Sequence, residues 1–174
     1  MKYITLFLAS YMLIGCGQKE QQPKYIIVKD EPQIEKRVDI ISSEGYTTND
    51  VIEWHGNSYS YHIEKYADKN LPVVKNEDGQ KFYDNKIELE IKCDNGSTFF
   101  SRTFQKSSFE QYMPKSFVTK GIMEGLVFDK TDENGRMRFV ASVAYPQTDE
   151  YILFSVLLGK DKSITIARDN SMLE

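Results

Sequence analysis

Cysteine is almost missing from this chain: 174 residues carry two, Cys16 and Cys93. Once Cys16 is engaged as described below, no disulfide can form within one chain, and the fold must stand on its apolar core. Histidine is equally scarce, at His55 and His62. In a hairpin turning at Gly56-Asn57 the two sit beside Ser58 and Val51, roughly 13 Å apart at about 3.4 Å per residue, whereas zinc needs every ligand atom within about 2.1 Å. No serine lies in a G-x-S-x-G turn. With 22 Lys and Arg against 26 Asp and Glu, a net charge of −4 and no basic stripe, the chain lacks the footprint of a nucleic-acid binder. It also lacks the roughly 20 consecutive apolar residues that a membrane-spanning helix requires. Internal repeats and low-complexity tracts are absent.

What is present begins with a short secretion signal. Lys2 precedes an apolar stretch at residues 3–14, with small residues at Ala9, Ser10 and Gly15. Leu13-Ile14-Gly15-Cys16 resembles the bacterial lipobox, which implies that residues 1–15 are removed and that Cys16 is diacylated, with a further acyl chain on the new amino terminus. At about 0.8 kcal/mol per buried methylene, two or three such chains make a durable anchor. Gly17 stands where an aspartate would favour retention at the inner membrane, so the expected address is the outer membrane, on its periplasmic face or at the cell surface. Residues 16–37, rich in Gln, Lys, Glu and Pro, bury too little surface to offset their ordering entropy and read as a tether. Within them residues 25–28 are a candidate edge strand. Residues 38–174 are expected to form one domain.

That domain alternates with period two, which argues for an all-β fold: an antiparallel meander forming a sandwich or open barrel. A Gly56-Asn57 turn would pair Trp54 with Tyr59 and Ile52 with Tyr61. Ile87, Leu89, Ile91 and Cys93 alternate with charged residues before Asn95-Gly96, which is expected to form a two-residue type I′ turn. That register sets Arg102 opposite Leu89, between Phe100 and Phe104. Residues 107–120 are the one helical segment expected, with Phe109, Tyr112 and Met113 at helical spacing and Pro114 ending the turn. Further strands are expected at 122–128, 137–145, 151–158 and 163–168. The strand 151–158 is apolar on both faces, so one face should enter the core while the other is covered by the segment near Phe109 or by a partner.

Trp54-x-Gly56-x-x-Tyr59, Leu71-Pro72-x-Val74, Tyr83-Asp84-Asn85, Phe104-x-Lys106-x-x-Phe109 and Asp149-Glu150-Tyr151 together resemble an uncharacterised family of Bacteroidetes lipoproteins classed as a domain of unknown function. The resemblance implies an envelope lipoprotein with no assigned activity, and Gln105 stands where that pattern often carries threonine.

Arg102, Trp54 and Tyr59 are the candidate ligand-binding residues: an arginine on an apolar face cannot shed its charge, and exposed rings can stack on sugars. Cys93 should point into apolar surroundings as a structural thiol. The acidic stretch 129–135 puts Lys130 and Ala141 where an EF-hand needs carboxylates, so it reads as a hairpin tip. Asp84 and Asp149 are the carboxylates that a glycan- or peptidoglycan-cleaving hydrolase would use. No catalytic residue, metal or cofactor is expected. The sequence thus points to a lipid-anchored, non-enzymatic module that meets the membrane through Cys16 and binds an envelope protein or an extracellular glycan, with the hydrolase as the alternative.

Overall fold

A five-residue hairpin loop whose last central residue has positive φ recurs along this chain. The computed structural model describes residues 39–170. In the loop from Cys93 to Ser97, the Cys93 N–H donates to the Ser97 carbonyl, the Gly96 N–H returns to the Cys93 carbonyl, and Gly96 takes φ +80°. This is a three-residue turn with a left-handed glycine, not the two-residue type I′ turn expected from Asn95-Gly96. The same pattern of bonds closes the loops at 76–80, 132–136 and 159–163, the last with Lys162 in the left-handed position.

These turns punctuate ten strands. Sheet 1 has the order β1-β2-β5-β6, from β1 (Tyr46–Trp54), β2 (Asn57–Ala67), β5 (Asn85–Cys93) and β6 (Thr98–Gln105). Sheet 2 has the order β10-β9-β8-β7, from β7 (Ile122–Thr131), β8 (Met137–Ala144), β9 (Tyr151–Leu158) and β10 (Ile164–Arg168). A small hairpin, β3 (Val74–Lys75) and β4 (Lys81–Phe82), is inserted between β2 and β5, and Ile41 lies parallel to Phe82 beside it. The fold is therefore an all-β sandwich of two antiparallel meanders, not a closed barrel. The single helical segment expected near 107–120 is two pieces, a 3-10 helix (Lys106–Tyr112) and α1 (Lys115–Lys120). Pro114 holds φ −62° and ψ 151° at the N-cap of α1, so it starts the second piece as well as ending the first.

Ladder register follows the turns. His55 and Gly56, at φ 50° and 75°, form the β1–β2 turn, so Trp54 pairs with Asn57 and Ile52 with Tyr59. The expected register is off by two residues, which leaves every side chain on its expected face. Between β5 and β6, Ile91 pairs with Phe100, Leu89 with Arg102 and Ile87 with Phe104, as the alternation requires. An irregularity between Ile91 and Lys92, with Phe99 as the extra residue, absorbs the longer turn. Cys93, the last residue of β5, is half-buried beside this turn and not enclosed as expected.

The inner faces meet as one core: Ile63, Ile87, Leu89, Ile91 and Phe104 from sheet 1, against Met123, Leu126, Phe139, Phe154 and Val156 from sheet 2. Each such side chain contributes about 1.5–3 kcal/mol, more than a typical hydrogen bond at about 1. Burial therefore dominates stability, while polar ties between the sheets fix their relative placement. The Tyr46 hydroxyl donates to the Leu126 carbonyl at 3.0 Å and accepts from its N–H at 2.9 Å, acting as a strand partner for β7. Burial pushes this hydroxyl above the usual tyrosine range, the bond to the Leu126 backbone opposes that, and Glu124 adds to the rise. Trp54 Nε1 donates to the Gly135 carbonyl at 2.8 Å.

The inner face of β9 carries Ile152, Phe154, Val156 and Leu158, all buried; Leu153 and Leu157 on the other face are half-buried and Tyr151 is exposed. Phe109 packs on Phe154 with ring centroids 4.8 Å apart. Phe109 thus sits on the inner face, where it completes the core at the end of the sandwich; on the outer face, expected to be covered by the segment near Phe109 or by a partner, Tyr151 and Leu153 share a cleft with Pro114 and Phe117.

Four carboxylates are held below their usual range: Asp68 by Lys86, Glu90 by Lys92, Asp132 by the Arg136 backbone N–H and Asp161 by the Ser163 hydroxyl. A depressed folded-state pKa means that the unfolded chain binds more protons in acid. The contribution is complete above about pH 5 and is lost as pH falls through the depressed values. Urea midpoints should therefore decline steadily from pH 5 to pH 2.5; a flat profile would remove these contacts from any account of stability.

Candidate functional site

β5 and β6 stop pairing at Lys86 and Gln105. Lys106 lies one residue and Asp84 two residues beyond the last pair of that ladder, which brings them to the same end of the sheet. Asp84 is 3 % exposed. Its Oδ1 accepts from the backbone N–H groups of Asn85 and Met123, both at 2.8 Å, and its Oδ2 faces Lys106 Nζ at 3.3 Å. Lys106 Nζ also donates to the Gly121 carbonyl at 2.7 Å. Asn85 Nδ2 donates to the Met123 carbonyl at 2.7 Å, while Asn85 Oδ1 accepts from Ser43 Oγ at 2.8 Å. Gly121 permits this arrangement by close approach, since a Cβ there would lie 2.6 Å from the Phe117 carbonyl oxygen and 2.8 Å from Val143.

This charged pair lines a cleft of about 340 Å³. One wall is Leu71, Pro72, Val73 and Val74; the other is Gln105, Ser107, Val118 and Thr119. An open groove of about 790 Å³ over the helical connection shares Ser107, Val118 and Thr119 with it. Three of the five stretches that carry the family resemblance, at 71–74, 83–85 and 104–109, meet here. The chemistry on offer is an apolar slot over a neutralised ion pair. Asp84 is held by two N–H groups and an ammonium.

The other candidate residues are dispersed. Trp54 is 2 % exposed and belongs to the core, with its N–H on Gly135, so it offers no face for stacking on a sugar. Tyr59 is half-buried, and its ring meets Trp54 and Phe99 edge-on at 5.4 and 5.2 Å. Arg102 stands apart on β6, exposed, with its guanidinium 5.3 Å from the centre of the Phe104 ring and no ion pair among the described residues. The stem snorkels along the ring while the charge stays in water. His55 Nε2 lies 2.9 Å from the Gly135 carbonyl and His62 Nδ1 lies 2.7 Å from Asn49, so each has its own partner. Asp132 accepts from Asn134 N–H and Arg136 N–H and pairs with the Arg136 guanidinium, which makes it the clasp of its own hairpin loop. Asp149 lines a different cleft from Asp84, with Glu150, Tyr151 and Arg168. Cys16 lies outside the described residues, as do residues 1–15 and the tether to 37.

The residue pairing that sequence reasoning missed is Asp84 with Lys106. Both lay in stretches already singled out; the β5–β6 register continued past its last pair sets Lys106 opposite Asn85, next to Asp84, while the contact itself is decided by packing.

Among the described residues no helix is long and apolar enough to cross a membrane, a statement that does not bear on strands. A search of curated proteins found no match. The family model described as a domain of unknown function, DUF4738, matches residues 26–166, most of the chain, and the protein belongs to that family.

Proposed function

We propose that this protein is a lipid-anchored, non-enzymatic binding module of the bacterial cell envelope, an outer-membrane lipoprotein of Bacteroidetes type held by acyl chains on Cys16. The binding half of the reading is carried by one observation: the cleft between residues 71–74 and Val118, roofed by apolar side chains over the neutralised Asp84–Lys106 pair. Its size sits at the lower end of the range for small-ligand sites, roughly 300–1,000 Å³. The anchoring half rests on Leu13-Ile14-Gly15-Cys16.

Labelled palmitate should enter the wild-type chain and not Cys16→Ala, and a globomycin-type inhibitor of the lipoprotein peptidase should leave an unprocessed precursor. Failure of the wild type to take up label would remove the anchor. For the cleft, cross-linking in the native envelope should capture a partner with the wild type and lose it with Val118→Trp, whose larger ring fills the slot. Equal capture by both would move the binding site elsewhere. Turnover of glycan or peptidoglycan fragments that disappears in Asp84→Asn or Asp149→Asn would replace this reading by the hydrolase.

A further inference from the structure

We propose that Arg102 is a guard that keeps the β6 edge of the sandwich closed to strand addition by a second copy of this chain. A two-sheet sandwich has four edge strands, among the described residues β1, β6, β7 and β10, whose outer backbone groups have no further strand of either sheet beside them and can template another strand. Three of them are blunted without Arg102. On β1 the Asp50 carboxylate accepts its neighbour's Val51 N–H at 2.8 Å, and Asp50 lies on the face that carries Ile52 and Trp54. β7 is interrupted twice, between Met123 and Gly125 and between Phe128 and Lys130, and Tyr46 occupies the Leu126 N–H and carbonyl. β10 is only five residues long.

β6 is different. Beyond the irregularity at Phe99 it pairs regularly with β5 from Phe100 to Gln105, an uninterrupted edge. Arg102 is at the middle of that run, opposite fully buried Leu89 and two residues from fully buried Phe104, on the face directed at the core. An apolar residue at this position would extend the core to the edge. The guanidinium instead stays exposed over the Phe104 ring. Two β6 strands meeting antiparallel around a two-fold axis at this residue would set two guanidinium groups against each other and strip their water, since an arginine cannot deprotonate. The block depends on charge alone, and its sign is immaterial. This separates it from anion gripping or ring stacking, which both need a cation.

The test is sedimentation equilibrium of the full chain in a density-matched detergent, with far-UV circular dichroism and the unfolding transition as checks that each variant keeps its fold. Arg102→Val should self-associate at least about tenfold more tightly than wild type, and Arg102→Thr, a smaller neutral strand former, should do the same if the valine variant fails to fold. Arg102→Lys and Arg102→Glu should behave as wild type. In the associated variant, amide exchange should slow by at least about tenfold across β6 and not across β10. Folded valine and threonine variants that sediment as wild type would overturn the proposal, as would a glutamate variant that associates or protection that falls on another strand.

Discussion

Replacing Lys106 by methionine should destabilise the fold by about 3–5 kcal/mol, the cost of breaking a buried ion pair from one side. The side chains of Lys106 and Asp84 are 14 % and 5 % exposed, so solvent screens the pair little. Methionine keeps most of the lysine stem, and what is lost is the counter-charge. Asp84 would remain clamped by the Asn85 and Met123 N–H groups with its second oxygen facing an apolar methyl. A urea melt at neutral pH reads the change as a lower midpoint at an unchanged slope. The double variant Lys106→Met with Asp84→Asn should recover most of the loss, because a neutral amide can still accept both backbone N–H groups. A single-variant cost under about 1 kcal/mol would place the pair in effective contact with water and weaken the view of the cleft as a neutralised, apolar slot.

Phe109→Ala should be comparably severe, at about 3–5 kcal/mol for a fully buried aromatic. Phe109 has no exposed surface, and its ring lies 4.8 Å from that of Phe154 and 6.1 Å from that of Phe104, joining the two sheets at one end of the core. A short 3-10 helix has little stability of its own, so this ring is what seats the connection between the sheets. Removing it should also speed amide exchange across the 3-10 helix and α1 more than across β8. Against a total stability of about 5–15 kcal/mol, either substitution uses much of the margin. A cost near 1 kcal/mol for Phe109→Ala would reduce the connection to a linker lying on a sandwich complete without it.

The contrast between these two sites shows what local pattern can encode. The charged-apolar alternation of residues 86–93 was legible, and with it the pairing of Leu89 with Arg102, because the period of a strand assigns each side chain to a face without reference to anything distant. Turn chemistry was only half legible. Asn95-Gly96 marked the right place but yielded a three-residue loop, and the β1–β2 turn fell on His55-Gly56, two residues off in register, since a histidine accepted the left-handed conformation. The family match starts at residue 26, inside the stretch whose composition reads as a tether.

The sequence by itself determined the β class and the faces of the strands, and it carries the lipobox-like Leu13-Ile14-Gly15-Cys16 on which the proposed anchor rests. Only the tertiary structure decided that Asp84 meets Lys106, that residues 71–74 wall a cleft against Val118, that Phe109 completes the inner face, and that Arg102 lies on an edge strand among the described residues. The physical reason is range. Alternation and turn propensity act between residues a few positions apart, whereas each of these features joins segments about 20 or more residues apart or depends on which strands were left unpaired after the two sheets packed. No local preference carries that information; it is set when the core closes around β7 and the backbone groups of Met123 and Leu126 must find partners.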